Sequence, residues 1–284
     1  METDLAFAYL KKKIRSIGIN CAGYKDEFLK RRLEGRMRQL GLASYADYAH
    51  YLEKQPSEFN DLYDALTINV SEFFRDTSVW DALRRSILPN MMKTKLASGK
   101  KEFRVWSAGC ADGEEAYTHA ILILETLAYL SKSFQIEIVG TDIDLLSLNR
   151  ARKGTYSPAR LKLVNKSILQ RHFIPNADGT FTISQPVKEL VTFRQHDLFT
   201  LPQSANFDII SCRNVIIYFS RELQQALFEN FWNALIPGGF LILGKVETLF
   251  GDVACKFKAE NLAERIYKKG GLVIPMALGA TAAH

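Results

Sequence analysis

Polar, charged or glycine residues that could meet a ligand gather at four places in this 284-residue chain, each just after a run that reads as a β-strand. Phe103–Ser107 leads into Gly109-Cys110-Ala111-Asp112-Gly113-Glu114-Glu115, Gln135–Gly140 into Thr141-Asp142-Ile143-Asp144, Leu190–Gln195 into His196-Asp197-Leu198, and Phe207–Cys212 into Arg213-Asn214. Glycine has no Cβ, so backbone at 109 and 113 can come close to a ligand, and a helix starting at Ala116 aims its free N–H groups at the same place. A carboxylate beyond the second strand is placed to accept from both hydroxyls of a ribose. Asp142 is the candidate, whereas Asp144 fits a helix cap better. Asp197 can accept from an adenine amino group while Leu198 covers the ring. Together these groups describe a nucleotide-type pocket.

Other chemistries lack their residues. There is no phosphate-loop Gly-x-x-x-x-Gly-Lys-Ser/Thr, no Gly-x-Ser-x-Gly elbow and no His-Glu-x-x-His helix. His50, His119, His172, His196 and His284 are scattered and read as surface or packing residues. Cys21, Cys110, Cys212 and Cys255 form no Cys-x-x-Cys pair, so reduced thiols are expected, with neither a metal site nor a disulfide framework. The glycine spacing is looser than a dinucleotide fingerprint, which disfavours a nicotinamide. A short loop suits an adenosyl cofactor, S-adenosylmethionine first among them.

The elements that must carry these groups alternate. Helical patterns at 116–130, 145–153 and 221–235 separate the strands, and Gly239–Leu243 adds another, which predicts a parallel sheet covered on both faces, a Rossmann-like doubly wound α/β domain. Short strands around Asp178-Gly179, from about 170 to 195, predict a small antiparallel β insertion. Residues 4 to 66 are helical throughout, with Ser44 as a capping residue, and predict an all-α N-terminal domain. Its second helix, Lys25–Leu40, carries Leu29, Leu33, Met37 and Leu40 on one stripe and Lys25, Arg32 and Arg36 on another. The expected division is 1–76, a linker helix over 77–101, and 102–284.

Composition agrees with a soluble protein, 47% hydrophobic and 24% charged, and the net charge of +6 suits an acidic partner: nucleic acid, membrane surface or protein. Apolar runs fall far short of the roughly 20 residues that span a bilayer. The first residues lack a signal peptide's basic start and apolar core, so a cytoplasmic location without membrane insertion is expected.

The ordered set Thr67-Ile68-Asn69-Val70-Ser71-Glu72-Phe73-Phe74-Arg75-Asp76, Val105–Tyr117 with its glycine loop, Thr141–Asp144, Cys212-Arg213-Asn214 through Tyr218, Pro237-Gly238-Gly239 and Gly244-x-x-Glu247 resembles the motif series of chemotaxis receptor methyltransferases of the CheR type. The resemblance covers nearly the whole chain. Departures are Ala116 in place of a usual proline, Thr118-His119 in place of a Ser-Ile pair, and Lys245 in place of a common histidine.

The resemblance implies S-adenosylmethionine-dependent methylation of glutamate side chains on the cytoplasmic helices of methyl-accepting chemoreceptors, leaving S-adenosylhomocysteine. It implies a monomer that is recruited to receptor arrays and needs no nucleic acid. Asn69, Ser71 and Arg75 would meet the cofactor's amino-acid end, and Gly109 would let it approach. Glu115 and Asp142 would share its amino group and ribose in an order left open, and Asp197, Leu198, Arg213 and Asn214 would line its adenine and methionine sides. Arg75 and Tyr218 would flank the methyl group and steer the incoming carboxylate. Lys25, Arg32 and Arg36 would dock the acidic receptor helix. A glutamate is ionised at neutral pH, so its attack on an activated methyl group requires no general base.

Overall fold

The computed structural model describes residues 2–16, 21–66, 71–127, 133–202 and 204–270. Helices α1 (Glu2–Ser16), α2 (Asp26–Leu40), α3 (Tyr45–Lys54) and α4 (Glu58–Leu66) turn their apolar stripes inward, and Leu10, Ile14, Leu29, Leu33, Leu52 and Leu62 close a core of their own. Ser44 caps α3 as its position predicts, its side chain accepting the Asp47 N–H at 3.1 Å.

A crossing segment follows. Phe73 and Phe74 are buried in the core of the sheet domain, anchored by Phe73 N–H on the Arg160 carbonyl at 3.2 Å. The single helix expected from Thr77 is α5 (Thr77–Ala82) and α6 (Leu88–Ala97) joined by a π-turn at Leu83–Ile87. Pro89, in the first turn of α6, has no N–H to donate, so the chain widens one turn rather than breaking.

The remaining chain runs β1 (Glu102–Ala108), α7 (Glu114–Leu127), β2 (Gln135–Asp142), α8 (Leu145–Lys153), β3 (Thr155–Tyr156), α9 (Lys166–His172), β4 (Phe173–Pro175), β5 (Phe181–Ile183), α10 (Gln185–Lys188), β6 (Val191–Gln195), β7 (Phe207–Cys212), α11 (Arg221–Ala234), β8 (Leu235–Leu243), β9 (Phe257–Asn261) and β10 (Ile266–Lys269). A seven-stranded sheet has the order β6-β2-β1-β7-β8-β10-β9, with β10 antiparallel to both neighbours. Alternation along each strand fills both faces: Val105 and Ile209 join the core under α7, Trp106 and Ile210 the core under α11.

A small antiparallel sheet is present, but its membership differs from the expectation. It consists of β3, β5 and β4, while the run ending at Gln195 is β6, paired parallel with β2 at the edge of the large sheet. Thr155–Tyr156, too short to show alternation, supplies the third strand instead. Running parallel to β2, β6 brings the segment after Gln195 to the carboxyl edge of the sheet.

Candidate functional site

Strand order reverses between β1 and β7, the place where open α/β sheets bind ligands. Ser107 of β1 and Ser211 of β7 are register partners there, so their side chains leave the same face together. Both hydroxyls donate to one oxygen of Glu115, in the first turn of α7: Ser107 Oγ to Oε1 at 2.9 Å and Ser211 Oγ to Oε1 at 2.7 Å. The other oxygen, Oε2, has only Arg213 Nη1, at 3.4 Å, among the described residues. Glu114, its neighbour, is fully buried and paired with Arg160 at 3.3 Å. Burial raises its carboxyl to about 7.

The glycine loop is stitched to the end of β2. Gly109 and Cys110 donate their N–H groups to the Thr141 carbonyl at 2.8 and 2.9 Å. Asp142 accepts from Ala111 N–H at 2.8 Å and Asp144 N–H at 3.0 Å. Burial raises the Asp142 carboxyl, and these N–H groups oppose the rise. Gly109 has φ of 76°, and a Cβ there would meet Val215 Cγ2 at 2.7 Å, so two independent constraints demand glycine. Asp144 caps α8, accepting Leu146 N–H at 2.9 Å.

A cavity of about 110 Å³ opens beside this loop. Ser71, Glu72, Arg75 and Trp80 form one wall, and Gly109–Ala111, Glu115, Arg213–Val215 and Tyr218 the other. The structure thus brings together Ser71, Arg75, Gly109, Glu115, Arg213, Asn214 and Tyr218. Asp142, Asp197 and Leu198 lie outside these walls. Asn69 lies outside the described residues.

Arg213 is committed to other protein groups. Its Nη2 donates to the Asp76 carboxylate at 2.6 Å and to the Arg75 carbonyl at 2.9 Å, and its guanidinium lies 5.3 Å from the Trp80 ring centroid. It is a strut that holds the crossing segment against β7, a job that the sequence reading did not give it.

Three features were missed. Glu247, seen only as part of a motif, accepts the N–H groups of Asn214, Val215 and Ile216, each at 3.0 Å, and of Gly244 at 2.6 Å. This buried carboxylate shapes the turn that carries Asn214, whose φ is 61°, and Tyr218. An acid three residues beyond a strand-end glycine was the available signal. Tyr24 and Tyr63 come from the helical unit: Tyr63 O–H donates to the Ile143 carbonyl at 3.1 Å, and the phenol of Tyr24 is raised by burial first, then by the charges of Asp142 and Asp197. Both phenols feel the charge of Asp142 at the end of β2, Tyr24 that of Asp197 beyond β6 as well, and nothing in their spacing foretold it. The third is His119, whose Nε2 lies 2.9 Å from Ser211 Oγ.

The basic stripe of α2 is divided among different tasks. Arg36 makes a two-point pair with buried Glu58, Nε–Oε1 2.9 Å and Nη2–Oε2 2.6 Å, and also reaches Asp61 at 3.0 Å. Lys25 Nζ donates to the Ile217 carbonyl at 2.8 Å. Both therefore also brace the protein, through a carboxylate and a carbonyl distant in sequence. The Arg32 guanidinium lies 5.6 Å from the Phe28 ring centroid, and that ring lies 4.8 Å from the ring of Tyr218 in the cavity wall.

Residues 69–266 match the model of the CheR methyltransferase, SAM binding domain, and residues 6–67 that of the CheR methyltransferase, all-alpha domain. The chain belongs to the CheR methyltransferase family. It is 32% identical over 264 residues to the chemotaxis protein methyltransferase of Borreliella burgdorferi, covering 92% of each chain. It is 34% identical over 239 residues to chemotaxis protein methyltransferase 2 of Pseudomonas aeruginosa, covering 82% of each. With the Listeria innocua chemotaxis protein methyltransferase it shares 30% identity over 235 residues, 83% of this chain and 86% of that one.

Membership makes this chain a methyltransferase that uses S-adenosylmethionine. The residues present fit that group. Glu115 in the cavity wall suits a cationic amino group, and Asn214, in the same wall, has a buried side-chain oxygen without a hydrogen-bond partner among the described residues.

Proposed function

We propose that this CheR-family chain esterifies glutamate side chains on the cytoplasmic helices of chemoreceptors. The observation that carries the reading is the pairing, in one cavity wall system, of Arg75 and Tyr218 with the locked carboxylate of Glu115. S-adenosylmethionine supplies a methyl group already activated on a sulfonium. Glu115 holds the cofactor's ammonium, with Ser71 and Asn214 beside it. Asp142 takes the ribose, and Asp197 with Leu198 the adenine, under the roof of Tyr24 and Tyr63.

Arg75 attracts and orients the incoming carboxylate, and Tyr218 donates a hydrogen bond to it. A clamp tighter than this would blunt the nucleophile. No base is assigned: a glutamate near its ordinary value is ionised at pH 7, and His119, lowered to about 4 by burial, faces Ser211 rather than the cavity. Arg32 steers the acidic helix to the mouth. The enzyme acts as a monomer recruited from the cytoplasm to receptor arrays.

The test is methyl-radiolabel transfer to receptor fragments. Label released by mild alkali is the expected result, since a glutamate methyl ester hydrolyses there. Label that survives alkali would mark nitrogen methylation and overturn the reading.

A further inference from the structure

The environment of Glu115 contains one buried group that neither the family match nor the cavity explains. His119 lies one turn beyond Glu115 on α7, is 1% exposed, and packs its ring edge-on against Trp80 with centroids 4.9 Å apart. Its Nε2 is 2.9 Å from Ser211 Oγ, and Ser211 Oγ is 2.7 Å from Glu115 Oε1.

The proton inventory fixes the direction of this chain of contacts. A serine has a single hydroxyl hydrogen, and an ionised carboxylate only accepts. If Ser211 gave its hydrogen to His119, its lone pairs would face the carboxylate at 2.7 Å with no proton between them. The hydrogen therefore points at Glu115, and His119 must carry its proton on Nε2 and donate to Ser211. Burial keeps the imidazole neutral at pH 7. Each donor in such a series polarises the next, so the last bond, onto Oε1, is strengthened.

We propose that His119 is a positioning residue for the methyl-donor site: through Ser211 it anchors Oε1 of Glu115, so that Oε2 is the oxygen presented to the cofactor's ammonium. Ser107 donates to the same Oε1 at 2.9 Å, so one carboxylate oxygen receives both hydroxyls. Rotation of the carboxylate would break both bonds. The inference rests on the assignment of Glu115 to the ammonium in the proposed function.

The experiment uses the full chain and S-adenosylhomocysteine, titrated by calorimetry into wild type, Glu115→Gln, Ser211→Ala, His119→Leu, His119→Gln and the double variant Ser211→Ala with His119→Leu. Loss of one bond in the series is expected to weaken binding about five- to tenfold. Ser211→Ala and His119→Leu should show this loss singly, and the double variant should be no weaker than Ser211→Ala alone, because His119 acts only through the hydroxyl. His119→Gln keeps an N–H donor and should bind within about twofold of wild type, separating the donor from mere packing. Nitrogen-15 NMR of the imidazole should show the Nε2–H tautomer at neutral pH, whatever the cofactor does.

Binding unchanged in His119→Leu while Glu115→Gln weakens it would overturn the positioning role and leave the cofactor assignment standing. Losses that multiply in the double variant, a His119→Gln variant as weak as His119→Leu, or an Nδ1–H tautomer would overturn it as well. Unchanged affinity in Glu115→Gln would remove Glu115 from the site and the inference with it.

Discussion

At the carboxyl edge of the sheet, polar side chains converge from several strands on shared partners, whereas along α2 a uniform row of cations disperses to unrelated partners. Ser107 and Ser211 meet on one oxygen of Glu115, while Arg36, Lys25 and Arg32 go respectively to Glu58, to the Ile217 carbonyl and to the Phe28 ring. The difference is geometric. Parallel register fixes which residues emerge together at a strand end, so a strand-end acid has a predictable address. A helix stripe fixes only direction, and the partner of each charge comes from a segment remote in sequence.

The largest test of the strand-end side is Glu247→Ala. Its carboxylate satisfies the N–H groups of Asn214, Val215, Ile216 and Gly244 in a buried turn, and its removal strands those donors at once. The expected cost is about 3 to 5 kcal/mol in the urea midpoint, with loss of S-adenosylhomocysteine binding. A variant as stable as wild type would mean that the turn holds itself and that the convergence at this edge is incidental.

Arg36 and Arg32 should separate next. Arg36→Glu places a second acid against Glu58, which is 4% exposed, and should destabilise the helical unit by about 3 kcal/mol or more. Arg32→Glu should change stability by less than about 1 kcal/mol, raise the receptor KM and spare cofactor affinity. Thermal melts read the first effect and methylation kinetics the second. If both variants raised KM with no loss of stability, the row of cations would be acting as one docking face after all.

These contrasts also explain what the sequence made legible. The Rossmann-like α/β domain, the helical N-terminal unit and the ordered strand ends followed from period and spacing, and β2 and α8 begin and end close to where the pattern puts them. The small sheet was misassigned because Leu190–Gln195 carries no mark of which neighbour it will pair with, and pairing is tertiary. Glu115 was legible as a strand-end acid. Its anchors Ser107, Ser211 and His119 were not, since their proximity depends on the β1–β7 register. Tyr24 and Tyr63 reach the acids at the ends of β2 and β6 only through docking of the helical unit, which leaves no periodic trace.

Two adjacent acids sharpen the comparison through pH. Glu114 is buried and raised to about 7, above an unfolded value near 4.5. Between these values the folded state keeps a proton that the unfolded state has lost, so stability is fully present below about 4.5 and falls as pH rises to about 7. The loss amounts to about 3 kcal/mol at most. Glu114→Gln cannot ionise and should remove this slope, so that its urea midpoint gains on wild type between pH 5 and pH 8. An equal slope in both proteins would show that the Arg160 pair holds Glu114 ionised throughout.

The smallest effect belongs to Lys25. Its backbone N–H bonds to the Tyr218 carbonyl at 2.9 Å, a link that any residue but proline preserves, and only the exposed ammonium contact to Ile217 depends on the side chain. Lys25→Met keeps most of the aliphatic stem and should cost about 0.5 kcal/mol or less. Receptor KM should move less than twofold, well below the Arg32→Glu effect. A KM rise in Lys25→Met equal to that in Arg32→Glu would show that the ammonium leaves Ile217 to meet the substrate. The brace at the start of α2 would then belong to the docking face, and the division between the two walls would run through that helix rather than beside it.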